Sequence, residues 1–209
     1  MARMILVGHF DSPFVRRVAI SLQALGFIYE RDTRSVFSDF EEMRTVNPLA
    51  RIPSLKLDSG ETLIDSFAIL DWLDREVGPE RALMPKSGAA RTHAMQIVAL
   101  ATGAIDKFGA INYEQIIRPP ALRWPDWIKR CHAQGTGALA ALEHKDWAMR
   151  ATVDQLQITT GCLLGYLALS MPNRVTSKTY PKLHAFWMRC AAMPEFVSTS
   201  VSHYSLPQG

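Results

Sequence analysis

The first 78 residues alternate between two hydrophobic periods. Residues 4–7 form a compact apolar run closed by Gly8, which reads as a buried strand. From Pro13 the apolar positions become Val15, Val18, Leu22 and Leu25, a spacing that marks one face of a helix. Pro13 suits the first turn, where its missing N–H costs nothing, and Gly26 lies just past the end. Residues 28–33 read as a second strand and residues 39–46 as a short helix. Residues 54–57 and 62–64 flank Asp58-Ser59-Gly60, a hairpin turn signal. Ser66 then stands as N-cap before the stripe Ile69, Leu70, Leu73 and Val77. The order βαβα followed by ββα combines a parallel crossover with an antiparallel hairpin in one sheet.

A segment with two prolines and two glycines, GPERALMPKSG at residues 78–88, has no periodicity and divides the chain. The expected organisation is an α/β domain over 1–78, a linker over 79–88 and an all-α domain over 89–209. Helical patterns follow at residues 91–108, 124–148, 154–170 and 181–192. Asp154 with Gln157 three residues on resembles a capping box, with Asp in place of Ser or Thr.

Composition narrows the class. The chain has 209 residues, 48% of them hydrophobic, enough for a substantial core without disulfides or metal. Three widely spaced cysteines, Cys131, Cys162 and Cys190, read as reduced core thiols rather than a disulfide framework or zinc site. The N-terminal apolar run is too short for a signal peptide, and no stretch approaches the ~20 apolar residues of a membrane span. The expectation is a cytoplasmic protein without a membrane partner. Residues 1–80 carry nine basic and 13 acidic side chains, whereas the remainder carries 14 and seven. That asymmetry supports two units of different composition. No basic cluster interleaved with aromatics is present, so nucleic acid is not an expected partner. The six histidines show no H-x-x-x-H spacing and no triad partner, so zinc catalysis and serine hydrolysis find no support.

Four features of the first domain converge on one ligand. Asp11-Ser12-Pro13-Phe14 places a hydroxyl at a helix start, where unpaired N–H groups and the dipole favour an anion such as a thiolate. Ser12 by itself reads equally as a helix cap. In Asn47-Pro48-Leu49-Ala50-Arg51-Ile52-Pro53, a cis bond before Pro53 would turn the Ile52 backbone groups outward to pair with a peptide. Arg51 would face a ligand carboxylate, or be an ordinary exposed arginine. Asp65-Ser66 opens a helix that could hold a carboxylate on Ser66 and an ammonium on Asp65. A carboxylate and an ammonium on one α-carbon describe the γ-glutamyl end of glutathione.

The sequence resembles the glutathione S-transferase family, in its bacterial, serine-type, cytosolic form, over nearly the whole chain. S-P-F-V-R-R-V at 12–18 is similar to the opening of the family's first helix, and N-P-L-A-R-I-P at 47–53 to its N-P-x-G-K/R-V/I-P loop. Asp65-Ser66 matches the family's Glu/Asp-Ser pair. Tyr180-Pro181-Lys182-Leu183 and Met193-Pro194-Glu195-Phe196 fit its last helix and the turn after it. The resemblance implies a thioredoxin-like domain followed by a helical domain, assembled as a homodimer, with glutathione as co-substrate and no metal. It makes Ser12 the activating residue, with Phe14, Arg51, Ile52, cis Pro53, Asp65 and Ser66 in the glutathione site. Two residues depart from the pattern: Ala50 replaces a usual Gly, and Gln157 replaces an Asp common at the start of its helix.

A free thiol has pKa ~8.5, and lowering it by ~2 units requires about 2.7 kcal/mol of preferential stabilisation. A hydroxyl hydrogen bond to the charged sulfur plus a helix N-terminus supplies that much. The thiolate would then attack a small hydrophobic electrophile between the domains. Phe10, Tyr113, Ile116 and Ile117 are candidates for that apolar wall, and each reads equally as helix packing. Two other readings stand beside conjugation. A glutathione-dependent reductase or peroxidase is one; disulfide exchange would need a cysteine where Ser12 stands. A non-catalytic glutathione- or protein-binding role is the other.

Overall fold

The computed structural model of the protein describes residues 4–148 and 153–201. Its sheet has the strand order β2 (Tyr29–Asp32), β1 (Met4–Val7), β3 (Ser54–Lys56), β4 (Thr62–Ile64). Strand β1 (Met4–Val7) runs parallel to β2 (Tyr29–Asp32), with Val7 opposite Asp32. Helix α1 (Pro13–Ala24) makes the crossover that a parallel pair requires. Strand β3 (Ser54–Lys56) lies antiparallel to β1, with Leu6 opposite Leu55, and β4 (Thr62–Ile64) returns antiparallel beside it. The thioredoxin-like topology expected of the first domain is present among the described residues.

Alternation along β1 sorts the core. Leu6 and Leu55 pack with Val15, Val18 and Leu22 of α1 and with Ile69, Leu70 and Leu73 of α3 (Ser66–Val77). Val7 points to the other face, against Met43 and Val46 of α2 (Phe40–Val46) and against Ala50. One detail differs from expectation: Asp65, not Ser66, caps α3, its carboxylate accepting from Phe67 N–H at 2.9 Å. Ser66 is thereby the first helical residue.

The segment after α3 is pinned. Leu83 and Met84 are buried, and both donate their N–H groups to the Asp74 carboxylate, at 2.8 and 3.2 Å. Helix α4 (Gly88–Asn112) runs beyond the predicted 108, because Ile111 and Asn112 still face the core, and then widens into a π-helical turn, Tyr113–Ile117. Within Gly88–Ile117 an 18-residue window reaches mean hydropathy 1.3, long and apolar enough by length and composition to cross a membrane, as the half-buried core helix of a globular domain also is. Its buried face packs against α5 (Pro125–Glu143) and α6 (Gln155–Ser170). Helix α5 stops short of the predicted 148, since the Trp147 indole folds back to donate to Leu142 C=O at 2.9 Å and stacks near Phe186.

Helix α6 is buried on nearly every side. Asp154 caps it by accepting from Gln157 N–H at 2.9 Å, while the Gln157 amide donates to Ala148 C=O instead of closing the box. Helix α7 (Pro181–Ala191) is capped from outside by the Glu143 carboxylate, which accepts from Lys182 and Leu183 N–H. The expected turn at Pro194 is a short helix, α8 (Pro194–Val197). All three cysteines are free and buried, and burial pushes the Cys162 and Cys190 thiols up to about 12. They are inert core residues.

Candidate functional site

The sulfur end of the site begins at the N-terminus of α1. Ser12 caps this helix, its Oγ accepting from Val15 N–H at 3.4 Å. Capping uses the oxygen as acceptor and leaves the single hydroxyl proton to donate elsewhere. Pro13 occupies the first helical position, and Ser12 is half-buried at the edge of a cleft between the domains.

The loop from Asn47 to Pro53 forms the floor. Buried Asn47 organises it: its amide donates to Arg51 C=O at 2.9 Å and to Ser54 Oγ at 2.8 Å, while its carbonyl accepts from Leu49 N–H at 2.9 Å. The departure at Ala50 has a structural consequence, since this residue adopts φ +47°, left-handed backbone that a Cβ disfavours. The Ile52–Pro53 bond is cis. Ile52 lies outside the strand ladder, and its N–H and C=O form no backbone hydrogen bond among the described residues. They are placed to pair with an extended peptide.

The third wall is the start of α3. Asp65 is held at φ +69°, with its carboxylate capping the helix, and Ser66 follows as a buried hydroxyl. Ser66 Oγ accepts from Arg17 Nη2 at 2.8 Å. Phe14, Arg51, Ile52, Pro53, Asp65, Ser66 and Asp106 line a polar recess of about 250 Å³. Phe14, Arg51, Ile52 and Asp106 also line the adjoining cleft of about 440 Å³ that contains Ser12. Every residue assigned to glutathione from the sequence therefore borders one of two connected spaces.

The apolar wall is composed differently from expectation. Tyr113 lines the cleft, as anticipated, and meets Phe37 edge-on at 6.1 Å. Phe10 does not; it is buried in the core of the first domain beneath the Arg31 guanidinium. Ile116 and Ile117 do not line the cleft either. In an ordinary helix, residues three and four beyond Tyr113 would share its face. Here the turn closes through Arg118 N–H to Tyr113 C=O, an i→i+5 bond that widens it and shifts them away. Val36, Phe37, Ile105 and Tyr166 supply the apolar lining instead. Tyr166 is held from behind, accepting from Asn112 Nδ2 at 2.6 Å.

Sequence reasoning missed Asp106, the one acidic side chain that α4 contributes to both spaces. Its only sequence signal is an acid beside Ile105 and close to Phe108 in an apolar helix. Desolvation by the cleft walls pushes its carboxyl up, against the pull of Arg51 and Lys107. Desolvation likewise raises the Tyr113 phenol, with Arg51 opposing and Asp11 reinforcing the shift. Among the described residues, no group of three His, Cys, Asp or Glu side chains is arranged to hold a metal.

Comparison with known proteins identifies the family. Residues 6–81 match the family model "Glutathione S-transferase, N-terminal domain". The uncharacterised GST-like protein YibF of Escherichia coli (strain K12) is 30% identical over 168 residues, covering 78% of this chain and 82% of that protein. The maleylacetoacetate isomerase of Mus musculus is 25% identical over 205 residues, covering 95% and 91%. A crystal structure of a glutathione transferase family member from Pseudomonas fluorescens Pf-5 with bound glutathione superimposes with TM-score 0.84 at 31% identity, covering 94% of this chain and 98% of that one. The chain belongs to the glutathione S-transferase family.

Proposed function

We propose that the protein binds glutathione across the recess and cleft, activates its sulfur through Ser12, and transfers that sulfur to a small hydrophobic electrophile. One observation carries the reading: Ser12 Oγ caps α1 as an acceptor at the cleft edge, so its proton is available to a sulfur placed there. The Ile52 backbone would pair with the cysteinyl residue, Arg51 would lie beside the glycyl carboxylate, and Asp65 and Ser66 would take the γ-glutamyl ammonium and carboxylate. Phe14 and Pro53 would pack along the peptide. Tyr113, with Phe37 and Ile105, would hold the electrophile over the sulfur.

Ser12 acts as a donor that stabilises the thiolate, not as a nucleophile. The helix N-terminus adds its partial positive charge to the same atom. Both effects favour the anion over the thiol and lower the sulfur pKa. A homodimer belongs to this reading, and sedimentation equilibrium tests it.

The isomerase relatives favour a second outlet for the same thiolate. Reversible addition to a conjugated double bond allows rotation, after which the sulfur leaves unchanged. Glutathione binding is measured first, followed by turnover with an aryl halide and with maleylacetoacetate, for wild type and Ser12→Ala. The expected result is turnover that falls roughly 10²-fold in Ser12→Ala, with glutathione binding retained. Consumption of glutathione marks transfer, and its recovery marks isomerisation. Binding without turnover of either substrate would refute the enzymatic reading.

A further inference from the structure

Asp106 faces the cleft from α4 without a hydrogen bond or ion pair to any described residue; Arg51, Lys107, Asp65 and Arg17 act on it only through space. Two of these cations are engaged elsewhere. Lys107 Nζ lies 5.7 Å from the Trp127 ring centroid, and Arg17 donates to Ser66 Oγ. Arg51, the third, would lie beside the glycyl carboxylate in the reading above. Ala110 and Tyr113 follow Asp106 by four and seven residues, on the same helix face, and all three line the cleft. Seven residues of helix rise about 10 Å, the span of a small aromatic molecule with a short arm. The α4 wall therefore has an apolar end at Tyr113 and an acidic end at Asp106. Among the described residues lining the cleft, Asp11 and Asp106 are the acidic side chains, Arg51 is the one guanidinium, His9 the one imidazole, and no lysine is present.

We propose that Asp106 sets the charge specificity of the electrophile site, admitting substrates with an apolar reactive end and an uncharged or cationic arm and rejecting anionic ones. The inference rests on the glutathione reading. Bound glutathione would bring two carboxylates and a thiolate against one ammonium, so it adds negative charge and occupies Arg51. An anionic electrophile then meets Asp11, Asp106 and the thiolate together. A cationic arm on a ring held by Tyr113 reaches the Asp106 carboxylate instead. The cleft walls take this carboxyl partly out of water, which pushes its pKa up. A partly desolvated charge is screened less than one on the open surface. Of the two outlets above, this distribution suits transfer to an uncharged or cationic acceptor and disfavours a dicarboxylate such as maleylacetoacetate.

Three para-fluoro-meta-nitrobenzamides test the role. They are alike at the reacting carbon and carry an aminoethyl, hydroxyethyl or carboxymethyl arm on the amide nitrogen. In each, the glutathione sulfur bonds to the ring carbon and fluoride leaves with the electron pair. Values of kcat/KM for the two charged arms are read against the hydroxyethyl compound within each variant. Wild type is expected to prefer the aminoethyl over the carboxymethyl arm roughly tenfold. In Asp106→Asn that ratio should fall about fivefold or more, and in Asp106→Lys the order should invert. A wild-type ratio near one, or an undiminished ratio in Asp106→Asn, would overturn the role. Were the undiminished ratio accompanied by weaker glutathione binding in calorimetry, the carboxylate would serve the ammonium of glutathione instead. Failure of wild type to bind glutathione would remove the site reading itself, and this inference with it.

Discussion

Gly8 and Ile52 meet without room for a single methyl group between them. A Cβ built on Gly8 would lie 2.9 Å from Ile52 Cβ and 2.6 Å from Val15 Cγ2, and Gly8 holds φ +129°. This contact joins the end of β1, the first turn of α1 and the residue whose backbone faces the proposed peptide. The sulfur end and the peptide-pairing edge of the site therefore share one close approach.

Gly8→Ala is expected to cost about 2–4 kcal/mol, combining backbone strain with overpacking. Urea unfolding measures that loss. Because the added methyl displaces Ile52, glutathione binding should weaken at the same time. Unchanged binding in a destabilised variant would mean that the Ile52 position does not control the ligand.

Asn47→Ala removes four hydrogen-bond contacts from the loop interior at once. The buried Ser54 hydroxyl loses its donor, and the Arg51 carbonyl keeps only the Ser54 hydroxyl, at 3.2 Å. A loss of about 2–3 kcal/mol is expected, on the scale of buried polar groups left unpaired. Glutathione affinity should fall with it, since Arg51 and Ile52 belong to the same loop. Chemical denaturation and calorimetry read the two effects separately.

Ala50→Gly should change stability by less than about 1 kcal/mol. Relief of left-handed strain favours glycine by ~1–2 kcal/mol. Against this stand the lost burial of a methyl against Val7, Met43 and Val46, worth ~0.8 kcal/mol, and the greater unfolded-state freedom of glycine, worth ~0.4–1 kcal/mol. A shift above 2 kcal/mol in either direction would contradict this balance.

His132 gives a pH dependence whose sign can be worked out. Its Nδ1 lies 3.1 Å from Arg174 Nη2, and a guanidinium can only donate, so the ring nitrogen accepts and the imidazole is neutral. Desolvation, and then the charge of Arg174, lower its pKa from the ordinary 6.5. A lowered histidine takes up its proton more readily in the unfolded chain. Stability from this contact is therefore complete above about pH 6.5 and is lost as pH falls from there through the folded value. His132→Gln keeps an acceptor for Arg174 without titrating. The difference in urea midpoint between wild type and this variant should shrink between pH 7.5 and 5.5; a constant difference would refute the assignment.

Much of the site was legible in local chemistry. Ser12 before Pro13, the Asn47–Pro53 loop and Asp65-Ser66 each use groups that act within a few residues: a capping hydroxyl, an amide turned on its own loop, a helix start. Short-range hydrogen bonds of this kind depend on sequence spacing alone. Even there, the cap of α3 passed from Ser66 to Asp65, because which neighbouring oxygen reaches the N–H depends on a backbone angle, φ +69° at Asp65, that spacing does not reveal.

By itself, the sequence determined the order of elements, the apolar runs and stripes that mark the strands and helices of the first domain, and its candidate ligand motifs. Only the tertiary structure decided which side chains meet across the domains. Phe10 lies in the core and Phe37 in the cleft, because the packing of α1 on the sheet closes over one and leaves the other facing α4. Ile116 and Ile117 turned away on a π-helical turn, whose i→i+5 bond leaves no mark in the hydrophobic pattern. Asp106 reached the site from 40 residues beyond Ser66, and Arg17 became a buried charge only because α3 packs across it. Burial and charge compensation are sums over neighbours distant in sequence, and periodicity along one segment cannot contain them.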